Sequence, residues 1–390
     1  MDIVKIYGSA LESATMPLQH SSSELFVKKL LQEANIRVGG DQPQDIHVHD
    51  PAFYARVLTE GSLGLGESYM DGQWDANQLD VCIERVIRAN LERHVKWNRH
   101  TVCALLQAIF TNMQSKHRSK QVAEKHYDES GVLPEALLDP YNQYTCAYFD
   151  ETDDLNEAQQ KKLDLICRKL QLKDTDRVLD IGCGWGGFAK FAAEHYGCHV
   201  TGISISNEQI KYAQEFCQGL PVDIQYCDYR DLDGKYDKVL TCGMVEHVGP
   251  KNYRRLLQTI CDHLSDDGLY LLHTIGSNTS LSAGDPFFHK YIFPNGILPS
   301  LEQIDRARDG LLTLHDVQNL GAHYDPTLMA WNENFKRNWP SIANLYDERF
   351  RRMYEYYLLS NAGGFRAGSM QLWQMVFSKV GHVMDYRGPR

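Results

Sequence analysis

The chain has 390 residues, enough for more than one domain, and its 43% hydrophobic and 23% charged residues are ordinary for a water-soluble globular protein. A formal net charge of −11 argues against nucleic acid as a partner, and no run of about eighteen uninterrupted apolar residues exists to cross a bilayer as a helix. The first residues lack the basic start and long apolar run of a secretory leader, and the ten cysteines form no CxxC pair; a cytoplasmic protein with reduced thiols and no structural metal is expected.

In chain order, residues 1–22 read as a loose tail. A serine start and helical apolar spacing predict a helix from Ser23 through Leu31, Ile46 to His49 alternates as a short strand, and Asp50-Pro51 opens another helix. Gly61-Ser62-Leu63-Gly64-Leu65-Gly66-Glu67 reads as a tight structural turn; no Lys-Ser/Thr follows it, so it is no phosphate loop. Residues 23–115 thus form a smaller, mainly helical module, and 116–390 a second domain. There, strands are predicted at 177–181, 198–204, 222–227, 236–242 and 268–275, with helices at 187–196, 207–217 and 251–264 between them. Ser206 and Gln209 have capping-box spacing. This succession predicts a doubly wound α/β fold with a mostly parallel sheet. Residues 277–310 read as a long irregular insertion covering the site, followed by a strand from Leu311 to Val317 and aromatic-rich helices from Leu328 to Trp339 and Ser341 to Ser360.

The chemistry centres on Val178-Leu179-Asp180-Ile181-Gly182-Cys183-Gly184-Trp185-Gly186-Gly187, a buried strand running into a turn with glycines at alternate positions. Such a turn lets backbone approach a ligand where any side chain would collide. It is not the dinucleotide G-x-G-x-x-G spacing. It resembles the nucleotide-binding turn of the class I S-adenosylmethionine-dependent methyltransferases, whose Rossmann-like fold places the ligand at the carboxyl ends of the strands.

Six further blocks extend the likeness: Glu67–Gly72, Tyr144–Phe149, Gly243–Gly249, Leu271–Ser277, Tyr291–Gly296 and Gly321–Asp325. Together they resemble the bacterial cyclopropane-fatty-acyl-phospholipid synthases of the mycolic acid cyclopropane synthase superfamily, in order from about residue 24 to residue 378. The resemblance implies that the methyl of S-adenosylmethionine becomes the bridging methylene of a cyclopropane ring, built across a cis double bond of a phospholipid acyl chain. It implies a lipid-associating role for residues 23–115, a homodimer, and peripheral attachment to the inner face of the cell membrane.

Methyl transfer to an alkene leaves a carbocation, which aromatic faces stabilise by about 0.5–2 kcal/mol each; Tyr144, Trp185 and Tyr324 are the candidates. The proton must then go to a base, which the resemblance implies is a bicarbonate ion cradled by Cys146, Glu246, His273, Ile275 and Tyr324. Glu246 would accept the ion's proton, His273 and Tyr324 would donate to its oxygens, Ile275 would offer a backbone N–H, and Cys146 a site-lining thiol. Taken alone, Glu246-His247 reads equally as a strand-end pair and His273 as a satisfied core histidine; their blocks favour function. For the cofactor, the resemblance places Tyr144 and Thr145 at the methionine part, Gly182, Gly184 and Trp185 at the turn, Ser204 and Gln209 near the ribose, and Asp228 and Tyr229 at the adenine. The acidic ribose-binding residue that many such methyltransferases carry after the second strand is missing from Gly202-Ile203-Ser204-Ile205-Ser206, so Gln209 would substitute.

Arg85, Arg88, Lys96 and Arg99, with Arg93 and His100 nearby, recur near helical spacing, and Lys116, His117, Arg118 and Lys120 form a second basic cluster. A bilayer-docking face and a solvated helix face are equal readings of these charges. The alternative activities are a related methyltransferase that adds a methyl or methylene branch to lipid, a soluble small-molecule methyltransferase, and a catalytically silent lipid-binding protein.

Overall fold

Strand β3 (Arg177–Ile181) alternates its side chains between two apolar layers, which is what a central parallel strand requires. Val178 packs with α6 (Leu155–Leu170) and α7 (Gly187–Tyr196) on one face, and Leu179 and Ile181 face α9 (Tyr253–His263) on the other. The computed structural model describes residues 20–91, 112, 114, 132–382 and 385–390. Around β3 lie β4 (His199–Ser204), β5 (Val222–Tyr226), β6 (Tyr236–Cys242) and β7 (Leu264–Ser277), all parallel, in a seven-stranded sheet of order β5-β4-β3-β6-β7-β9-β8. The fold is α/β, as expected. Helix α8 (Asn207–Phe216) follows β4, its first turn capped by Ser206 Oγ, which accepts from Gln209 N. The reciprocal half of the capping box is absent, because the Gln209 side chain bonds Ser204 instead.

Strand β8 (Leu312–Asn319) does not pair with β7. Strand β9 (Met370–Lys379), which the apolar pattern did not single out, lies between them and is antiparallel to both. The insertion before β8 is less irregular than expected. It holds α10 (Pro286–Tyr291) and α11 (Leu301–Arg308), the latter with a complete capping box between Ser300 and Gln303.

The N-terminal helices α1 (His20–Glu33), α2 (Ala52–Glu60), α3 (Ser62–Met70) and α4 (Leu79–Arg88) accompany a two-stranded ribbon of β1 (Ile46–Val48) and β2 (Trp74–Ala76). Their apolar residues share one core with the short α5 (Val132–Leu137), α12 (Tyr324–Ile342) and α13 (Glu348–Arg366). Residues 20–22, expected in the tail, are the first turn of α1; the expected boundary at 115 lies outside the described residues. Of the basic residues, Arg85 donates to Asn35 O and Arg88 pairs with Glu84 and donates to Arg366 O, so both have partners within the molecule. Arg93, Lys96, Arg99, His100 and the cluster from Lys116 to Lys120 lie outside the described residues.

The glycine-rich stretch at 61–67 is not a turn. Only Gly61 breaks the chain, with φ 62°, and Ser62 starts α3. The glycines serve packing: a Cβ on Gly64 would meet the Arg56 carbonyl oxygen of α2 at 2.4 Å, and one on Gly66 the Phe287 ring of α10 at 2.3 Å. Alanine at position 64 gains about 1 kcal/mol of helix propensity. Overlap with a backbone carbonyl that cannot rotate away costs about 1–3 kcal/mol. Gly64→Ala is therefore expected to lower Tm by a few degrees in thermal denaturation; an unchanged or higher Tm would show that α2 and α3 do not pack this closely.

Candidate active site

The turn after β3 has three residues in the left-handed region, Gly182 (φ 80°), Gly184 (φ 53°) and Gly186 (φ 83°). A Cβ on the next residue, Gly187, would lie 1.8 Å from Tyr141 O, so the segment from Tyr141 to Cys146 crosses directly over the turn. Helix α6 holds that segment from below. Gln159 Nε2 donates to Thr145 O (2.9 Å) and Gln143 O (3.3 Å), while Lys162 Nζ donates to Thr145 Oγ1 (2.9 Å) and to Gln143 Oε1. Lys162 is completely buried, which lowers its pKa, and the buried Asp180 carboxyl is pushed up to about 7 by desolvation, with Lys162 opposing the shift. Sequence reasoning missed Lys162. The available signal was its place one turn before Ile166 on the apolar stripe of a helix rich in glutamine and lysine.

A single cavity of about 1420 Å³ opens above the turn. Its wall includes Tyr144, Thr145, Gly182, Gly184, Trp185, Ser204, Gln209, Asp228 and Tyr229, as well as Glu246, His273, Ile275 and Tyr324. The same cavity runs on among apolar side chains of the N-terminal helices, among them Leu30, Leu31, Val57, Leu58, Val86 and Ile87. Only Cys146, of the expected residues, is absent from the wall. Its thiol is fully buried against Ala147 O, Leu320 O and Thr327 Oγ1, and burial pushes its pKa up.

At the expected cofactor end, Ser204 Oγ donates to Gln209 Oε1 (3.0 Å), tying the two residues together at the end of β4. Asp228 Oδ1 accepts from Arg230 N (3.0 Å) and Nε (2.7 Å) in a buried ion pair, and the Arg230 guanidinium lies over the Tyr229 ring at 4.9 Å. Trp185 packs edge-on against Tyr212. Of the three aromatic candidates, the structure joins two: Tyr144 and Tyr324 both pack on Trp331, with ring centroids 5.1 and 6.2 Å away. The Tyr144 hydroxyl is shared with those of Tyr354 and Tyr357, each at 3.0 Å, and Tyr324 leans on Phe365 at 4.5 Å.

Glu246 sits in a single 3₁₀ turn after β6. Its Oε1 accepts from Ile275 N at 2.7 Å, and its Oε2 is buried with no hydrogen-bond partner among the described residues. The Ile275 N–H thus orients the Glu246 carboxyl. His273, on β7, is 1% exposed; Nδ1 lies 3.3 Å from Gln374 Nε2, and Nε2 is buried without a partner among the described residues. Burial holds this imidazole neutral and pushes that of His247 down to about 4. Among the described residues no cluster of His, Cys, Asp and Glu could hold a metal ion, and no helix is long and apolar enough to cross a membrane.

Residues 114–375 match the family model described as mycolic acid cyclopropane synthetase. This chain belongs to that family. Over 95% of its length it is 50% identical to the "cyclopropane-fatty-acyl-phospholipid synthase" of Escherichia coli K12, covering 97% of that protein. It is 34% identical to a "probable fatty acid methyltransferase" of Pseudomonas putida, covering 94% of this chain and 95% of the other. The solved mycolic acid cyclopropane synthase CmaA1, complexed with SAH and CTAB, superposes with a TM-score of 0.61 at 30% identity, covering 66% of this chain and 97% of that one. This family member is an S-adenosylmethionine-dependent methyltransferase.

Burial sets a pH dependence. Desolvation raises the Glu246 carboxyl from its usual 4.5 to about 7. The folded state therefore prefers the protonated form; that contribution to stability is complete below pH 4.5 and is lost as pH rises through 7. Glu246→Gln cannot ionise and escapes the loss. Its stability relative to the wild type is expected to rise between pH 4.5 and 7 and then level off, by an amount on the order of 3 kcal/mol. Denaturation midpoints across this range check it; a difference that does not vary with pH would mean that Glu246 is ionised throughout.

Proposed function

We propose that this enzyme transfers a methylene from S-adenosylmethionine across a cis double bond of a phospholipid acyl chain, closing a cyclopropane ring. The observation that carries the reading is the single cavity joining the glycine turn, the unsatisfied Glu246 and His273 atoms and the apolar arm under the N-terminal helices. Leu30, Leu31, Val57, Leu58, Val86 and Ile87 of the N-terminal helices line this arm, which suits an acyl chain drawn from a membrane surface. The turn and the Tyr141–Cys146 segment hold the sulfonium. The apolar walls exclude water and keep the alkene beside it, and such proximity is worth several kcal/mol. As the transferred carbon bonds to one alkene carbon, its bond to sulfur breaks, the electron pair stays on sulfur and the neutral thioether is left behind; positive charge appears on the other alkene carbon, where the Tyr144 and Tyr324 faces would stabilise it by about 0.5–2 kcal/mol each. Loss of one proton from the transferred carbon, with its bonding electrons closing on the cationic carbon, completes the ring.

The donor set fits a small oxyanion that carries one proton. Glu246 Oε2 is a buried acceptor awaiting a hydroxyl, and His273 Nε2 is a buried ring nitrogen awaiting an oxygen. Tyr324 and Ile275 share the same wall, with the Ile275 N–H donating to Glu246, while the Cys146 thiol is buried against Leu320 O and Thr327 Oγ1. A bicarbonate ion bound there would supply the base for the departing proton, worth about 10²–10⁴-fold in rate.

Incubation with vesicles of cis-unsaturated phospholipid and S-adenosylmethionine tests the reading. Mass spectrometry is expected to show the gain of one CH₂ with loss of the alkene; the same gain with the alkene retained would instead establish the branching reaction. Glu246→Ala is expected to abolish turnover while leaving cofactor affinity largely intact. Rigorous removal of dissolved carbon dioxide is expected to suppress turnover of the wild type, and undiminished turnover would remove the anion from the mechanism.

A further inference from the structure

Four strands meet in register beside the cavity, whose wall includes Cys242 and His273. Cys242 of β6 lies opposite His273 of β7, His273 opposite Gln374 of β9, and Gln374 opposite Gln318 of β8. Residues paired in this way share one face of a sheet. Gln374 is wholly buried and its Oε1 has no hydrogen-bond partner, while its Nε2 lies 3.3 Å from His273 Nδ1. Stability alone favours an apolar residue at such a position, since a half-satisfied buried amide is costly. Among the described residues the amide's one short-range polar contact is the histidine.

We propose that Gln374 is a positioning residue: its amide N–H donates to His273 Nδ1 and fixes the imidazole tautomer whose proton is on Nε2. A neutral imidazole has one donor and one acceptor nitrogen, and the bond made by one decides the role of the other. Burial keeps this ring neutral, so the choice of tautomer is open until a partner makes it. With Nδ1 accepting from Gln374, Nε2 becomes a donor. The other tautomer would present a lone pair at Nε2, which repels an anionic oxygen. The interaction is the counterpart of the outer partner that orients a metal-bound histidine, whose loss costs about 10–100-fold in affinity or activity. Gln374 escaped the reading from residues alone, because it belongs to a strand whose neighbour is set only by the sheet order.

The inference rests on the reading of His273 as an anion donor, and the experiment separates the two. Histidine ring nitrogens are labelled with ¹⁵N in the full-length protein, and the His273 signals are assigned by their loss in His273→Asn. The wild type is expected to show one tautomer, protonated at Nε2. Gln374→Met, similar in volume and apolar, is expected to show a mixture of both tautomers. It is also expected to raise the bicarbonate concentration for half-maximal turnover roughly tenfold, with turnover at saturating bicarbonate largely retained. A wild-type ring protonated at Nδ1 overturns the proposal, and this result stands even if the variant fails to fold. An unchanged tautomer and bicarbonate response in Gln374→Met overturn it as well. If His273→Asn keeps the bicarbonate dependence of the wild type, the anion reading of His273 fails, while a tautomer that responds to Gln374→Met still supports the Gln374 contact.

Discussion

The site depends on a carboxylate placed where water does not reach it. Glu246 has one oxygen tied to the Ile275 N–H and the other left without a partner in a buried wall. Leaving a buried acceptor unmatched costs about 1–3 kcal/mol, and folding supplies that from elsewhere: two apolar layers over the sheet and a third core shared by the N-terminal helices with α12 and α13. In the proposed reaction the unmet oxygen meets a partner that only the reaction brings. Pre-organisation of this kind is where active sites depart from stability optima.

The same logic explains the layer beneath the cofactor turn. Lys162 and Gln159 take their places on one stripe of α6 and bind the segment that crosses the glycines. The segment has little regular structure of its own, so side-chain hydrogen bonds from a rigid helix replace a backbone ladder. That lets an aromatic-bearing loop approach the turn as closely as Gly187 allows.

The βα succession from residue 177 to 264 was legible because each strand is a short apolar run bounded by turn residues, with caps such as Ser206 marking the helices. The site was legible through its motif blocks, which located Glu246, His273 and Tyr324 in the wall of the cavity. What stayed hidden was tertiary. Helix α6 buries Gln159, Lys162 and Lys169, so its inner stripe reads as surface. Glycines at 64 and 66 suggest a turn until the neighbouring helix and the Phe287 ring are seen against them. The thiol of Cys146 and the N–H of Ile275 were of the right chemical kind, but one faces Leu320 and Thr327 and the other is used by Glu246.

Strand β9 follows β8 in the chain, yet it fills the gap between β7 and β8 and brings Gln374 beside His273. During synthesis, which proceeds from the N-terminus at about 5–20 residues per second, the nascent polypeptide must hold β7 and β8 apart with their facing edges open until residues 370–379 leave the ribosome. Such edges invite pairing with other chains. The arrangement ties assembly of the candidate site to the arrival of residues 370–379, so a fragment interrupted before residue 370 is an aggregation hazard and also lacks the strand that flanks His273.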